Sequence, residues 1–102
     1  MMSDGMRPIH PGEILREEYL IPLNMSANAL AKAIGVTPAR INDIVRERRG
    51  VSADTALRLA TYFGSTAQFW LNLQQSYDLK IAEQTAQLDD ITPYDFGQFS
   101  YA

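Results

Sequence analysis

Arg40, Asn42 and Asp43 lie within four positions of one another in the run RINDIV, and their side chains have the hydrogen-bonding repertoire to read base pairs. In a DNA major groove a guanidinium donates a fork of hydrogen bonds to guanine, a carboxamide pairs bidentately with adenine, and a carboxylate accepts from the cytosine amino group. Thr37 and Ala39, just upstream, are suited to touch a thymine methyl. Arg46, Arg48 and Arg49 follow and fit phosphate neutralisation, with Lys32 and Arg58 as flanking contacts. Ser26, at the start of the preceding helix, is grouped with the phosphate contacts. Such contacts position a protein and make its affinity fall with salt, whereas base contacts choose the sequence.

The gathering of cations is local. The 102-residue chain has a formal net charge of −3 and a pI near 4.9. Residues 32 to 58 hold six cations against three anions, while residues 76 to 102 hold one against five. A basic face within an acidic protein still meets phosphates, and the acidic remainder limits indiscriminate adhesion to nucleic acid. A lone surface arginine is more often solvated or ion-paired, as Asp43 and Arg46 would be at i,i+3. The weight therefore rests on the set and on the helices that must carry it.

Every well-patterned segment has a helical period, and no sustained alternation marks a strand, so the fold class is all-α. A first helix is expected from Pro11, with Glu13 in its first turn, Ile14, Leu15 and Tyr19 inward, and Pro22 as its stop. Ser26 caps a second, which places Leu30, Ala31 and Ile34 on one face and ends at Gly35. Thr37 followed by Pro38 starts a third almost at once, with Ile41, Ile44 and Val45 as its buried stripe. Its opposite side displays Ala39, Arg40, Asn42, Asp43 and Arg46. Two short helices joined by a glycine turn are the parts of a helix-turn-helix, in which the second enters the major groove and the first braces it.

A fourth helix follows Ser52 with Ala56, Leu59, Ala60 and Phe63 on its apolar side, and Gly64 ends it. Ser65 and Gln68 have capping-box spacing for a fifth, expected to bury Phe69, Trp70, Leu73 and Tyr77. The expected organisation is an N-terminal arm at 1–10, a helix-turn-helix domain at 11–84, and an acidic, aromatic tail at 85–102 that stays mobile unless a partner orders it. Tyr62, Phe69, Trp70 and Leu73 are a heavy apolar load for so small a domain, which makes them candidates for a two-fold interface as well as for the core.

The runs MRPIHPGEILREEYL and ALAKAIGVTPARINDIVRERRGVSADTALRLATYFGSTAQFWLNLQQSYDL resemble the HigA-type, or VapI-like, antitoxins of the XRE (Cro/C1-like) helix-turn-helix family. The resemblance covers about Met6 to Ala82. It implies a five-helix bundle of the lambda-repressor-like type, a homodimer, and repression at a pseudo-palindromic operator in the protein's own promoter. It also implies a partner, a HigB-like ribosome-dependent mRNA endonuclease that the antitoxin neutralises. Carried over by position, the recognition face is Thr37, Pro38, Ala39, Arg40, Asn42, Asp43 and Arg46. Pro38 and Ala39 stand where related repressors often place longer hydrogen-bonding side chains, which shifts readout toward Arg40, Asn42 and Asp43.

Other function classes fare less well. One His, no Cys and no phosphate-binding glycine loop argue against an enzyme, a metal site or a cofactor. His10, just before the first helix, is expected in a structural or capping role. The start of the chain has no apolar run of signal-peptide length, and no membrane span is apparent, so a cytoplasmic protein is the expectation. Two alternatives keep the fold but change the role: a solitary XRE-family regulator without a toxin, or mainly a protein-binding toxin inhibitor that uses its acidic tail.

Overall fold

A computed structural model describes residues 7–97, which form five helical segments and no strand. The first, α1, runs without a break over residues 11–23: α-helical at Pro11–Ile14, π-helical at Leu15–Leu20 and α-helical again at Ile21–Leu23. Then come α2 (Ala27–Ile34), α3 (Pro38–Val45), α4 (Ala53–Phe63) and α5 (Ala67–Thr85). The expected all-α architecture is what the chain forms. None of its helices is long and apolar enough to cross a membrane among the described residues.

Pro22 does not stop the first helix. The preceding turns widen, so that Ile21 N–H donates to Arg16 O, five residues back. That wider turn takes in a proline whose ring would otherwise collide with the carbonyl four residues earlier. The helix ends at Asn24, whose φ of 52° is left-handed, a conformation asparagine tolerates better than most residues.

The next starts follow their caps. Ser26, Thr37 and Ser52 each accept the backbone N–H three residues on, from Ala29, Arg40 and Thr55 at 3.0, 3.2 and 3.3 Å. The start of α5 differs from expectation: Thr66 is the cap, accepting from Phe69 N at 3.0 Å. Ser65 Oγ instead accepts from the Trp70 indole N–H at 3.1 Å. A buried indole needs an acceptor, and this demand moves the helix start by one residue.

Leu15, Leu30, Ile41, Ile44, Leu59 and Trp70 are fully enclosed at the centre of the bundle. Tyr19 lies between Phe63 and Trp70, with ring centroids 4.6 and 5.3 Å away. Of the four residues expected to be buried by α5, Trp70 alone is enclosed; Leu73 and Tyr77 are half-buried and Phe69 is 38% exposed. Trp70, at 0% exposure, is therefore corrected from interface candidate to monomer core, while Tyr62 at 45% and Phe69 keep surface to offer. The first half of α5 does the packing, and residues 81–97 are all exposed beyond it.

His10 is buried and caps α1, its Nδ1 accepting from Gly12 N at 2.8 Å, with its ring 4.8 Å from that of Tyr77. The capping nitrogen must stay unprotonated. Burial lowers the His10 pKa below the ordinary 6.5, against the opposing charges of Glu47 and Asp78 and with help from Arg16. A depressed histidine stabilises the fold fully above pH 6.5, and the contribution fades as pH falls toward the lowered folded value. Thermal melts at pH 7.5 and 5.5 should therefore show a larger drop for the native chain than for His10→Asn, whose side-chain oxygen caps without titrating. Equal drops would remove His10 as the cause.

Candidate nucleic-acid interface

The site begins with how α2 and α3 are held together. Gly35, with φ of 76°, ends α2 in the left-handed region. Two residues later Thr37 caps α3, so α2 and α3 meet at a tight turn. Ile41 and Ile44 anchor the inner side of α3 in the core. Thr37, Pro38 and Ala39, at its N-terminal end, are exposed, as a helix entering a groove end-first requires.

The three residues with base-reading chemistry are half-buried and already engaged. Arg40 Nη1 donates to Asp54 Oδ2 at 2.9 Å and to Thr55 Oγ1 at 3.4 Å, which ties α3 to the first turn of α4. Asn42 Nδ2 donates to Asn28 Oδ1 on α2 at 3.0 Å and to Pro38 O at 2.9 Å. Asp43 pairs with Arg48 at 3.2 Å and Arg49 at 3.6 Å, in place of the i,i+3 pair with Arg46. Arg46 becomes the C-terminal cap residue of α3 and is exposed, as are Ser26, Lys32, Arg48 and Arg49. Arg40, Arg49, Ser52 and Asp54 line one concavity of about 330 Å³.

The far end of α3 is fixed by α1. Arg16 Nη1 donates to Val45 O, one of the terminal carbonyls of α3, and Arg16 Nη2 lies 3.4 Å from Glu47 Oε2. A cation at a helix C-terminus also complements the helix dipole. Glu47 itself takes a left-handed φ of 63° and turns the chain out of the helix.

Four contributors were absent from the sequence reading of the interface: Asn28, Asp54, Arg16 and the pairing role of Arg58. Arg58 Nε donates to Asp54 Oδ2 at 2.9 Å and Arg58 Nη1 to Ile34 O at 2.8 Å. Hydrogen bonds from Arg40 and then Arg58 hold the Asp54 carboxyl below its usual pKa. The Asp54–Arg58 spacing of four residues is a visible helix pair, whereas the reach of Arg40 across to Asp54 is not.

The Helix-turn-helix family matches residues 15–70, which contain the whole of this arrangement. The chain is 68% identical over 85 residues to virulence-associated protein I of Dichelobacter nodosus, covering 83% of this chain and 79% of that one. Among solved structures, a Pseudomonas aeruginosa antitoxin HigA with the higBA promoter is similar at 56% identity. It covers 76% of this chain and 85% of that one, with a TM-score of 0.76. The chain belongs to the HigA-type antitoxins of the XRE helix-turn-helix family. An addiction module antidote protein of a HigA family from Coxiella burnetii is 50% identical with a TM-score of 0.82, covering 87% of this chain and all of that one. Both α2 and α3 lie within the matched helix-turn-helix segment.

Proposed function

We propose that the protein represses its own operon by binding a pseudo-palindromic operator as a homodimer, and neutralises a HigB-like mRNA endonuclease. The observation that carries the DNA half is α3: capped at Thr37, exposed at its first turn, and presenting Arg40 held by Asp54. The similarity to a HigA bound to its promoter supports the same use of the helix. Thr37, Pro38, Ala39, Arg40, Asn42 and Asp43 face the bases in this reading, while Ser26, Lys32, Arg46, Arg48 and Arg49 meet phosphates. Asn42 and Asp43 exchange their internal partners for bases on binding. Two copies joined through exposed Tyr62 and Phe69, with half-buried Leu73, would set two such helices about 34 to 36 Å apart, one turn of DNA.

Fluorescence anisotropy tests the DNA half, with the duplex upstream of the gene against a scrambled duplex at two salt concentrations. The native chain should prefer its own duplex, and Arg40→Ala should weaken that complex by about 1 to 3 kcal/mol with little change on the scrambled one. Equal, weak binding erased by salt on both duplexes would overturn operator reading. For the toxin half, stoichiometric protein should stop mRNA cleavage by a HigB-like toxin in a translation extract. Cleavage that continues undiminished leaves a DNA-binding regulator without that partner.

A further inference from the structure

Arg40 has five N–H donors, and the structure assigns them unequally. Nη1 donates to Asp54 Oδ2 at 2.9 Å and, more weakly, to Thr55 Oγ1 at 3.4 Å. Nε and Nη2 have no acceptor among the described residues, and together they form the parallel fork that guanine O6 and N7 require. Asp54 is itself fixed, because the same Oδ2 accepts from Arg58 Nε at 2.9 Å and Arg58 Nη1 is tied to Ile34 O at 2.8 Å. Thr55 is fixed too, being buried with its Oγ1 3.2 Å from the Ser52 hydroxyl. A flexible arginine is thus held on one nitrogen by two adjacent residues in the first turn of α4, Asp54 and Thr55.

We infer that Asp54 is a specificity-determining positioning residue: it holds the Arg40 guanidinium so that the Nε–Nη2 edge, and no other, meets a guanine in the operator. The inference rests on the reading above that Arg40 contacts bases. A carboxylate beside a DNA-binding surface repels phosphate, so on charge alone Asp54 would weaken binding to any duplex. Its value to the protein lies in discrimination, since an arginine free to choose among rotamers loses orientation entropy on docking and accepts wrong acceptors. The two effects of removing it have opposite signs on affinity and can be separated.

The test is the ratio of operator to scrambled-duplex affinity at one salt concentration, measured for the native chain, Arg40→Ala, Asp54→Asn, Asp54→Glu and the double variant Arg40→Ala/Asp54→Asn. Asp54→Asn should leave scrambled-duplex affinity unchanged or higher while the ratio falls by at least about fivefold, toward that of Arg40→Ala. Asp54→Glu keeps the charge and shifts the carboxylate by one methylene, so a fall in its ratio reports position alone. In the double variant the ratio should equal that of Arg40→Ala, because Asp54 acts through that side chain. Two results overturn the inference by itself: a native ratio for both Asp54 variants while Arg40→Ala lowers it, or a further fall in the double variant. A native ratio for Arg40→Ala overturns the base-reading role of Arg40 and the inference with it. Thermal melts of each variant separate lost folding from lost selectivity, and Asp54→Glu carries the test if Asp54→Asn folds poorly.

Discussion

Gly12→Ala should destabilise the protein by more than about 3 kcal/mol, the upper end of ordinary overpacking, and abolish operator binding along with it. A Cβ at Gly12 would lie 1.8 Å from Ile44 O and 2.8 Å from Ile44 C, with His10 Nδ1 at 3.0 Å. Overpacked cores usually relax by turning a side chain. Here the obstacle is the main chain of α3, and Ile44 is itself locked in the core at 0% exposure. Relief requires moving α1 away from α3. That movement would also break the Arg16 bond to Val45 O and disturb the His10 cap, which lie on either side of the contact. Against a total stability of roughly 5 to 15 kcal/mol for a domain of this kind, the change should show in urea melts followed by circular dichroism. A midpoint close to that of the native chain would mean that α1 does not press on α3 in solution.

Gly12 also shows where sequence reading stops. In HPGEIL it is a small residue after a helix-starting proline, and nothing local says that another helix will touch it. By contrast Ser26, Thr37 and Ser52 were legible as caps because the oxygen and the N–H it accepts are three residues apart in one strand of chain. Gly35 and Gly64 were legible as helix ends for the same local reason, and both have φ of 76°. The capping-box spacing of Ser65 and Gln68 pointed to Ser65 as the start of α5, whereas Thr66 is the cap. Trp70 decided between them by taking the Ser65 oxygen, a demand that exists once the indole is buried. Pro22 failed as a stop because helix widening, absent from a simple 3.6-residue pattern, offered an alternative to termination.

The candidate site divides in the same way. Its residue types and the outward side of α3 were readable from the spacing of Ile41, Ile44 and Val45. The partners of Arg40 and Asn42 were not, since both bonds join residues 14 apart and depend on how the turns place three helices. Sequence alone gives Arg40, Asn42 and Asp43 as base-reading chemistry on one side of a helix, whereas the structure makes each a member of a hydrogen-bonded or ionic network with α2, α4 or the residues after α3.

Trp70→Ala should cost about 3 to 5 kcal/mol, in the range for deleting a large buried aromatic. The indole is fully enclosed, meets Tyr19 and Phe69 at centroid distances of 5.3 and 5.1 Å, and bonds to the Ser65 that precedes α5. Its loss opens a cavity between α1 and α5 and frees the start of α5. The comparison that gives this variant its meaning is with Tyr62→Ser and Phe69→Ser, on the same part of the molecule but with surface exposed. A core residue stabilises each protomer by itself, so the loss from Trp70→Ala should be the same at every protein concentration. An interface residue acts through association, and its loss is linked to concentration by mass action. Urea melts at two protein concentrations a hundredfold apart, with light scattering for mass, should therefore sort the three. Concentration-dependent midpoints in the native chain that Tyr62→Ser and Phe69→Ser flatten would place the dimer contact there, while a single-chain mass across the range would remove the homodimer. Should the Trp70→Ala penalty shrink on dilution, part of it would come from association, and the tryptophan would act across the dimer contact as well as in the core of each protomer.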